Sequence, residues 1–398
     1  MMPPLSPKEI LAISDELMSV MLEDRHHLHQ YPELSFQEEN TTLYIQTQLK
    51  KMGLACTLLP NRGVVAHFKG KLPGEKVVAL RADFDALPIQ EQNEKPYKSR
   101  NTGVMHACGH DVHTAALLGV ARILLALQPR FGGTVKFLFQ PAEEKFPGGA
   151  RAMVEAGALK GPDVDVVLAQ HVMPELEAGK VGVKAGRYAA ANDEVNITIK
   201  GRGGHGALPH ALVDPVIVAA QILLSMQTIV SRVANPTEPT VLSFGKIVAD
   251  GANNIIPEVV HMYGTLRTFD KAWRQQAHEK IKQISQGIAE AMGASCEVHI
   301  QGFSNVENDE PLTAEVIAWS REFLGEENVV ALDYWMAGED FGEFARDVPG
   351  CYYRIGSGNV EKGIDAPLHN PRFDVDEEPL FRISSALMTY IALKKLGN

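Results

Sequence analysis

No apolar stretch in the chain is long enough to cross a bilayer. The longest runs, Ala115–Leu127 and Val216–Met226, fall short of the roughly 20 residues that a spanning helix needs, and Arg122 interrupts the first. Positive charge is scarce too: 38 lysines and arginines against 49 acids leave a formal net charge of −11, with no basic cluster. A phosphate backbone needs a concentrated basic face, so this balance argues against a nucleic-acid partner. Four cysteines, at 56, 108, 296 and 351, show no disulfide spacing, which points to a reducing compartment. Low-complexity tracts and internal repeats are absent. The first residues mix Lys8, Glu9, Asp15 and Glu16 among apolar neighbours, an amphipathic helix after a short Pro-containing lead and not the apolar core of a signal peptide. The expectation is a soluble, cytoplasmic protein bound to neither membrane nor nucleic acid.

At 398 residues the chain exceeds what one core usually organises, so two domains are expected. Lys8–Gln30 has helical periodicity, and Ser35 followed by Glu38 reads as a capping box for a helix running to Met52. His26, His27 and His29 close the first helix and are read as local packing near its terminal carbonyls. Strand-like runs at Val64–Phe68, Val77–Ala82, Thr134–Phe139 and Val164–Ala169, with a helix at Thr114–Leu127, predict a largely parallel sheet with helices on both faces. From about Ala189 the texture changes. Strand Glu194–Lys200, helix Pro215–Val230, strands Thr240–Val248 and Val259–Thr268, helix Lys271–Met292 and strand Ser295–Gln301 give βαββαβ, the order of a ferredoxin-like sandwich. The fold class is therefore α/β, with residues 1–188 and 304–398 forming one domain and 189–303 inserted as a second.

The chemistry gathers around Gly103–His113. Cys108 and His110 lie two positions apart beside Gly109, with His106, Asp111 and His113 close by. A thiolate and an imidazole suit zinc, and also cobalt, nickel or iron. Other polar clusters follow strands: Asp83 and Asp85, then Glu143 and Glu144, then His171. Open α/β sheets place their ligand crevices at such strand ends. His369 stands in a loop before the last helix. Adjacent glutamates suit a division of labour in which one binds metal and the other takes a proton. Taken singly, Glu143–Glu144 is equally a solvated turn, and His171 or His369 a structural histidine. Together Cys108, His110, Glu144, His171 and His369 make five ligand-type side chains on one rim, enough for two divalent metal ions that share a ligand. Gly201–Gly206 formally fits G-x-G-x-x-G, which would mean a dinucleotide-binding oxidoreductase. Ala207–Asp214 separates it from the next helix, however, and no acid stands near Met226.

Arg25–Ser35, Arg81-Ala-Asp-Phe-Asp-Ala-Leu-Pro88, Met105-His-Ala-Cys-Gly-His-Asp111, Phe139-Gln-Pro-Ala-Glu-Glu144, Gly203-Gly-His-Gly-Ala-Leu-Pro-His210 and Leu368-His-Asn-Pro371 resemble, in order, the signature blocks of the M20 metallopeptidase and amidohydrolase family. The nearest subgroup comprises N-acyl-amino-acid hydrolases, hippurate hydrolase and auxin-conjugate hydrolases. The resemblance implies hydrolysis of N-acetyl- or N-benzoyl-type amino acids to a carboxylate and a free amino acid, with a dipeptidase or aminopeptidase as the alternative. It implies that Cys108 is shared by both metals, in a place where other branches use Asp. His110 and His171 would complete one metal, Glu144 and His369 the other. Glu143 would be the general base, and Asp85 would orient a ligand. Asp83 stands where peptidase branches carry a metal-binding His, with His110 the substitute. The inserted domain would be a lid and dimerisation domain: His205 would reach across a homodimer to the developing oxyanion, while Asn254 and Arg267 would hold the substrate carboxylate. Zinc, manganese, nickel and cobalt all suit this ligand set.

Overall fold

The computed structural model describes residues 5–397, so the Pro-containing lead lies outside the described residues. The chain divides into two compact units. The larger holds Met1–Gly186, Glu307–Asp333 and Asp340–Asn398, and the smaller holds Arg187–Val306 with the short segment Tyr334–Glu339.

In the larger unit an eight-stranded sheet runs in the order Cys56–Leu58, Val64–Lys69, Gly132–Gln140, Leu72–Asp83, Val166–Glu177, Gly350–Gly358, Val181–Val183, Val329–Ala331. Its central pairings, from Gly132–Gln140 through Gly350–Gly358, are parallel, and antiparallel pairs flank them. Val77–Ala82 is apolar at nearly every position because this central strand is buried on both faces. Helices His110–Ala126 and Glu377–Leu396 pack on it and on each other, burying Leu80, Leu117, Phe137, Leu168 and Leu387 in one core. Full burial of such a side chain contributes about 1.5–3 kcal/mol.

Several element ends differ from the sequence reading, each for a local reason. The first helix breaks at Leu17, giving Pro7–Glu16 and Met18–Gln30. The capping box does not form. The helix begins at Glu39, and the Glu33 carboxylate accepts the Asn40 and Thr41 N–H groups at 3.2 and 2.8 Å, which frees Ser35. The helix placed at Thr114 begins instead at His110, behind a left-handed Gly109. His171 is not at a strand end: its strand continues to Glu177 and overhangs the Leu72–Asp83 neighbour, whose pairing stops at Ala169.

The smaller unit is a four-stranded antiparallel sheet in the order Thr240–Ala249, Val259–Thr268, Ala191–Lys200, Ser295–Phe303, with helices Pro215–Thr228 and Lys271–Ala291. In chain order this is βαββαβ. Alternation explains its single core: Val195, Ile197 and Ile199 point inward with Val260 and Met262, and meet Val218, Ile222 and Ile281 of the helices. A π turn at Ile229–Val233 extends the first helix beyond the apolar run read from sequence. Among the described residues Pro215–Val233 is the one helix long and apolar enough to cross a membrane by length and composition. Its inner residues Val218, Ile222, Met226 and Ile229 are buried in this core, while Ile217 and Leu224 are exposed. At Gly201–Gly206 no helix opens. The chain forms a two-residue strand, Gly204–His205, and the next helix starts at Pro215, so the dinucleotide fingerprint has no structural counterpart.

Candidate metal centre

The five ligand-type side chains converge within the larger unit. Cys108 Sγ, His110 and His171 each offer an atom within 4.8 Å of the others, and so do Cys108, Glu144 and His369. Cys108 is common to both groups. Glu143 joins His110 and Glu144 in a third cluster at the same limit.

Local structure fixes each side chain. Gly109 adopts φ 80°, and a Cβ there would lie 2.5 Å from Val172 Cγ2, so only glycine fits between Cys108 and the helix that starts at His110. That helix directs the positive end of its dipole at the thiol. His171 Nδ1–H donates to the Val172 carbonyl at 2.7 Å, so its Nε2 lone pair faces Cys108 Sγ at 3.4 Å. His113 accepts the Val172 N–H at Nε2, 3.0 Å, and therefore carries its proton on Nδ1, which it donates to Asp83 Oδ1 at 2.6 Å. His110 Nδ1–H donates to Asp85 Oδ1 at 3.2 Å. Its Nε2 is fully buried with no hydrogen-bond partner among the described residues. His369, left-handed at φ 61°, donates its backbone N–H to the Ala107 carbonyl at 2.8 Å and brings Nε2 to 3.2 Å from Glu144 Oε1.

The electrostatics ask for positive charge. Burial, then Glu144 and Glu143, push the Cys108 thiol well above its ordinary value. Burial acts against a charged His110, yet Asp83, Asp85 and Glu144 outweigh it and hold the ring up at about 10. A divalent cation would replace that second ring proton and draw the proton from the thiol. The orphaned His110 nitrogen and the donor chemistry fit a bound metal ion.

Asp83 has both oxygens engaged, with His113 at 2.6 Å and Arg81 Nη1 at 2.7 Å. Burial would raise its pKa, but Arg81, His110 and His113 hold the carboxyl well below the usual range. Asp85 accepts from His110, from Ser35 Oγ at 2.7 Å and from the Glu144 N–H at 3.0 Å. His29, read as helix-end packing, is instead buried between Asp111 at 2.8 Å and Glu91 at 3.2 Å, and Arg25 also holds Asp111 at 3.0 Å. These contacts brace the first turn of the His110 helix. His106 is buried with neither ring nitrogen bonded among the described residues, and burial lowers it to about 4.

In the smaller unit His205 and Asn254 are neighbours. His205 pairs with Ile255, and Gly206 N–H donates to the Asn254 carbonyl at 2.9 Å. His205 Nδ1 accepts the Ala207 N–H at 3.1 Å, leaving Nε2 as the protonated, outward nitrogen. Arg267 is not with them. It lies near the far end of the Val259–Thr268 strand, opposite Asn192, and donates to Asn192 and Thr265. Eight residues of strand at ~3.3 Å each set it about 25 Å from the end nearest His205.

His171 from a central strand, His110 from the start of a helix, and Cys108, Glu143, Glu144 and His369 from the loops beside them gather into one cluster, and such a cluster on a mixed sheet defines a metal-dependent hydrolase. The model of peptidase family M20/M25/M40 matches residues 79–392, and the chain belongs to this family. It is 47% identical over 294 residues to the N-acyl-L-amino acid amidohydrolase of Geobacillus stearothermophilus, covering 74% of this chain and 79% of that protein. It is 40% identical over 360 residues to the N-acetylcysteine deacetylase of Bacillus subtilis (strain 168), covering 89% and 92%. The crystal structure of the Bacillus subtilis YXEP protein, described as a dinuclear metal binding peptidase of the M20 family, aligns with TM-score 0.81 and 34% identity over 96% of this chain and 99% of that one.

Proposed function

We propose that the protein hydrolyses the amide bond of N-acyl amino acids, releasing a carboxylate and a free amino acid. The observation that carries this reading is the pair of triads sharing Cys108, with Glu143 beside them. Cys108, His110 and His171 would hold one divalent cation, and Cys108, Glu144 and His369 a second, as zinc, manganese, nickel or cobalt. When bound, the cations supply the Lewis acidity that makes water nucleophilic near neutral pH and polarises the scissile carbonyl.

The remaining work falls to side chains. Glu143 takes a proton from the attacking water and delivers it to the amide nitrogen, so the amine leaves neutral. Asp85 keeps the His110 Nδ1 proton in place and Nε2 free. His205 donates from Nε2 to the oxyanion. Arg267, aimed by Asn192 and Thr265, grips the substrate carboxylate together with Asn254.

One compact substrate cannot bridge about 25 Å of strand, so the last two roles call for two copies of the chain, His205 and Asn254 coming from one and Arg267 from the other. The smaller unit supports such a dimer. Thr240–Ala249 is an edge strand with exposed Val241, Ile247 and Val248, and Ile217 and Leu224 are exposed on the helix beside it.

The test is a panel of N-acetyl, N-benzoyl and N-succinyl amino acids beside dipeptides with a free amino terminus, each assayed with zinc, manganese, cobalt or nickel restored. N-acyl amino acids should turn over and free dipeptides should not. The reverse preference would make the protein a dipeptidase or aminopeptidase. A Glu143→Gln variant should keep its metal and lose about 10²–10⁴-fold in kcat.

A further inference from the structure

Two buried carboxylates grip the turn that carries Glu143, one on each side. Ala142 N–H donates to Glu38 Oε1 at 2.8 Å, and Glu144 N–H donates to Asp85 Oδ2 at 3.0 Å. Glu143 is the residue between them. Ala142 adopts the left-handed conformation, φ 53°, which costs a residue with a Cβ about 1 kcal/mol or more. Pro141 before it has no N–H to contribute, and the neighbouring Gly149 is so close that a Cβ there would lie 1.8 Å from the Pro141 carbonyl oxygen. This turn is held from outside.

Both grips trace to one segment, Glu33–Glu38. Glu38 is fully buried, and its Oε2 has no hydrogen-bond partner among the described residues. Ser35 Oγ donates to Asp85 Oδ2, the same oxygen that receives the Glu144 N–H. The segment is itself anchored. Ala86 N–H donates to the Glu33 carbonyl at 2.8 Å, Gln37 N–H donates to the Leu34 carbonyl at 2.9 Å, and the Glu33 carboxylate caps the following helix.

We infer that Glu38 is a positioning residue for Glu143, acting through the Ala142 peptide to hold the turn that directs the Glu143 carboxylate. Ser35, through Asp85, fixes the other side of the same turn. This rests on the reading of Glu143 as general base. What Glu38 must supply is an acceptor oxygen at Ala142 N–H, not a charge. A carboxylate misplaced by a fraction of an ångström transfers its proton less well, while cation ligands and substrate contacts stay in place.

The experiment compares Glu38→Gln, which keeps the acceptor, with Glu38→Met, which fills the volume without it. Metal content, kcat, KM and amide hydrogen exchange in the Pro141–Glu144 peptide are measured on the metal-loaded enzyme. Glu38→Met should lose on the order of tenfold to a hundredfold in kcat with KM and metal stoichiometry unchanged, and its Ala142 amide should exchange fast. Glu38→Gln should restore both kcat and protection. Loss of metal in Glu38→Met, unchanged kcat at full occupancy, or a Glu38→Gln variant with the same defect would each overturn the assignment. If Glu38→Met does not fold, the Glu38→Gln result decides alone, because a large kcat loss there refutes the acceptor role. Glu143→Gln is assayed in parallel. Activity surviving in that variant would remove the general-base reading, while the exchange data still report whether Glu38 holds the turn.

Discussion

His171 presents the Nε2 lone pair to Cys108 Sγ at 3.4 Å because the Val172 carbonyl accepts the proton on its other nitrogen. The Val172 N–H is in turn held by His113, and His113 by Asp83. The tautomer of one cluster residue is thus set by a peptide group and a histidine–carboxylate pair, in the way second partners usually fix metal-binding histidines. Such a cluster is organised in advance, and Cys108 stands at its centre.

Cys108→Ala should therefore lose both cations, since it removes the one side chain common to the two triads. Cys108→Asp places a carboxylate oxygen near the same point and should retain metal. Elemental analysis after dialysis checks both. Full occupancy in Cys108→Ala would show that the thiol is not shared.

Much of this cluster was legible in the sequence, because hydrolytic metal chemistry needs particular residue types and Cys108, His110, Glu143, Glu144, His171 and His369 all supply them. The βαββαβ order of the smaller unit was legible too, since strand alternation and helix periodicity are local properties. The supports were not. Ser35 and Glu38 satisfied a capping-box pattern, and nothing in the sequence signals that Glu33 takes the capping role and releases them toward Asp85 and Ala142. His29 resembled any helix-end histidine until the fold brought Asp111 and Glu91 to it. The early start of the helix at His110 was not legible either, because the left-handed turn at Gly109 goes with a close approach to Val172 that only the fold reveals.

Arg81 should be the costliest single charge to remove near the cluster. Its guanidinium is buried and donates to Gln140 Oε1 at 2.8 Å, Asp83 Oδ2 at 2.7 Å and Asp340 Oδ1 at 3.1 Å. Arg81→Met leaves two buried carboxylates without their cation, a loss of about 3–5 kcal/mol. A thermal midpoint within a degree of the parent would contradict this. Arg81→Lys should fall between the two, because one ammonium cannot span all three acceptors.

Glu38 gives a pH dependence with a definite sign. Burial and the nearby Asp85 push its carboxyl from 4.5 up to about 7. Below pH 4.5 folded and unfolded chains are both protonated there, and the group contributes no slope. Between 4.5 and 7 the folded chain holds a proton that the unfolded chain has released, so stability falls as pH rises. Above 7 the loss levels off, at about 3 kcal/mol. Glu38→Gln removes this term. In metal-stripped protein its stability advantage over the parent should be near zero at pH 4.5 and should grow through neutrality, as read by urea midpoints. A constant difference across that window would mean that Glu38 titrates normally.

The proposed two-copy arrangement makes a prediction that activity, read beside the degree of subunit exchange, can test. His205 and Asn254 sit at one end of the smaller unit's sheet and Arg267 near the other, so a complete substrate pocket would draw on both subunits of a dimer. His205→Ala and Glu143→Ala should each be nearly inactive as pure proteins. After mixing and subunit exchange, half of the dimers are mixed. In each, one pocket combines an intact Glu143 with the partner's intact His205, so about a quarter of the parental activity should return. Recovery should track the fraction of mixed dimers measured by native mass spectrometry. If exchange is complete and activity stays at the level of the separate mutants, His205 serves the cluster of its own chain.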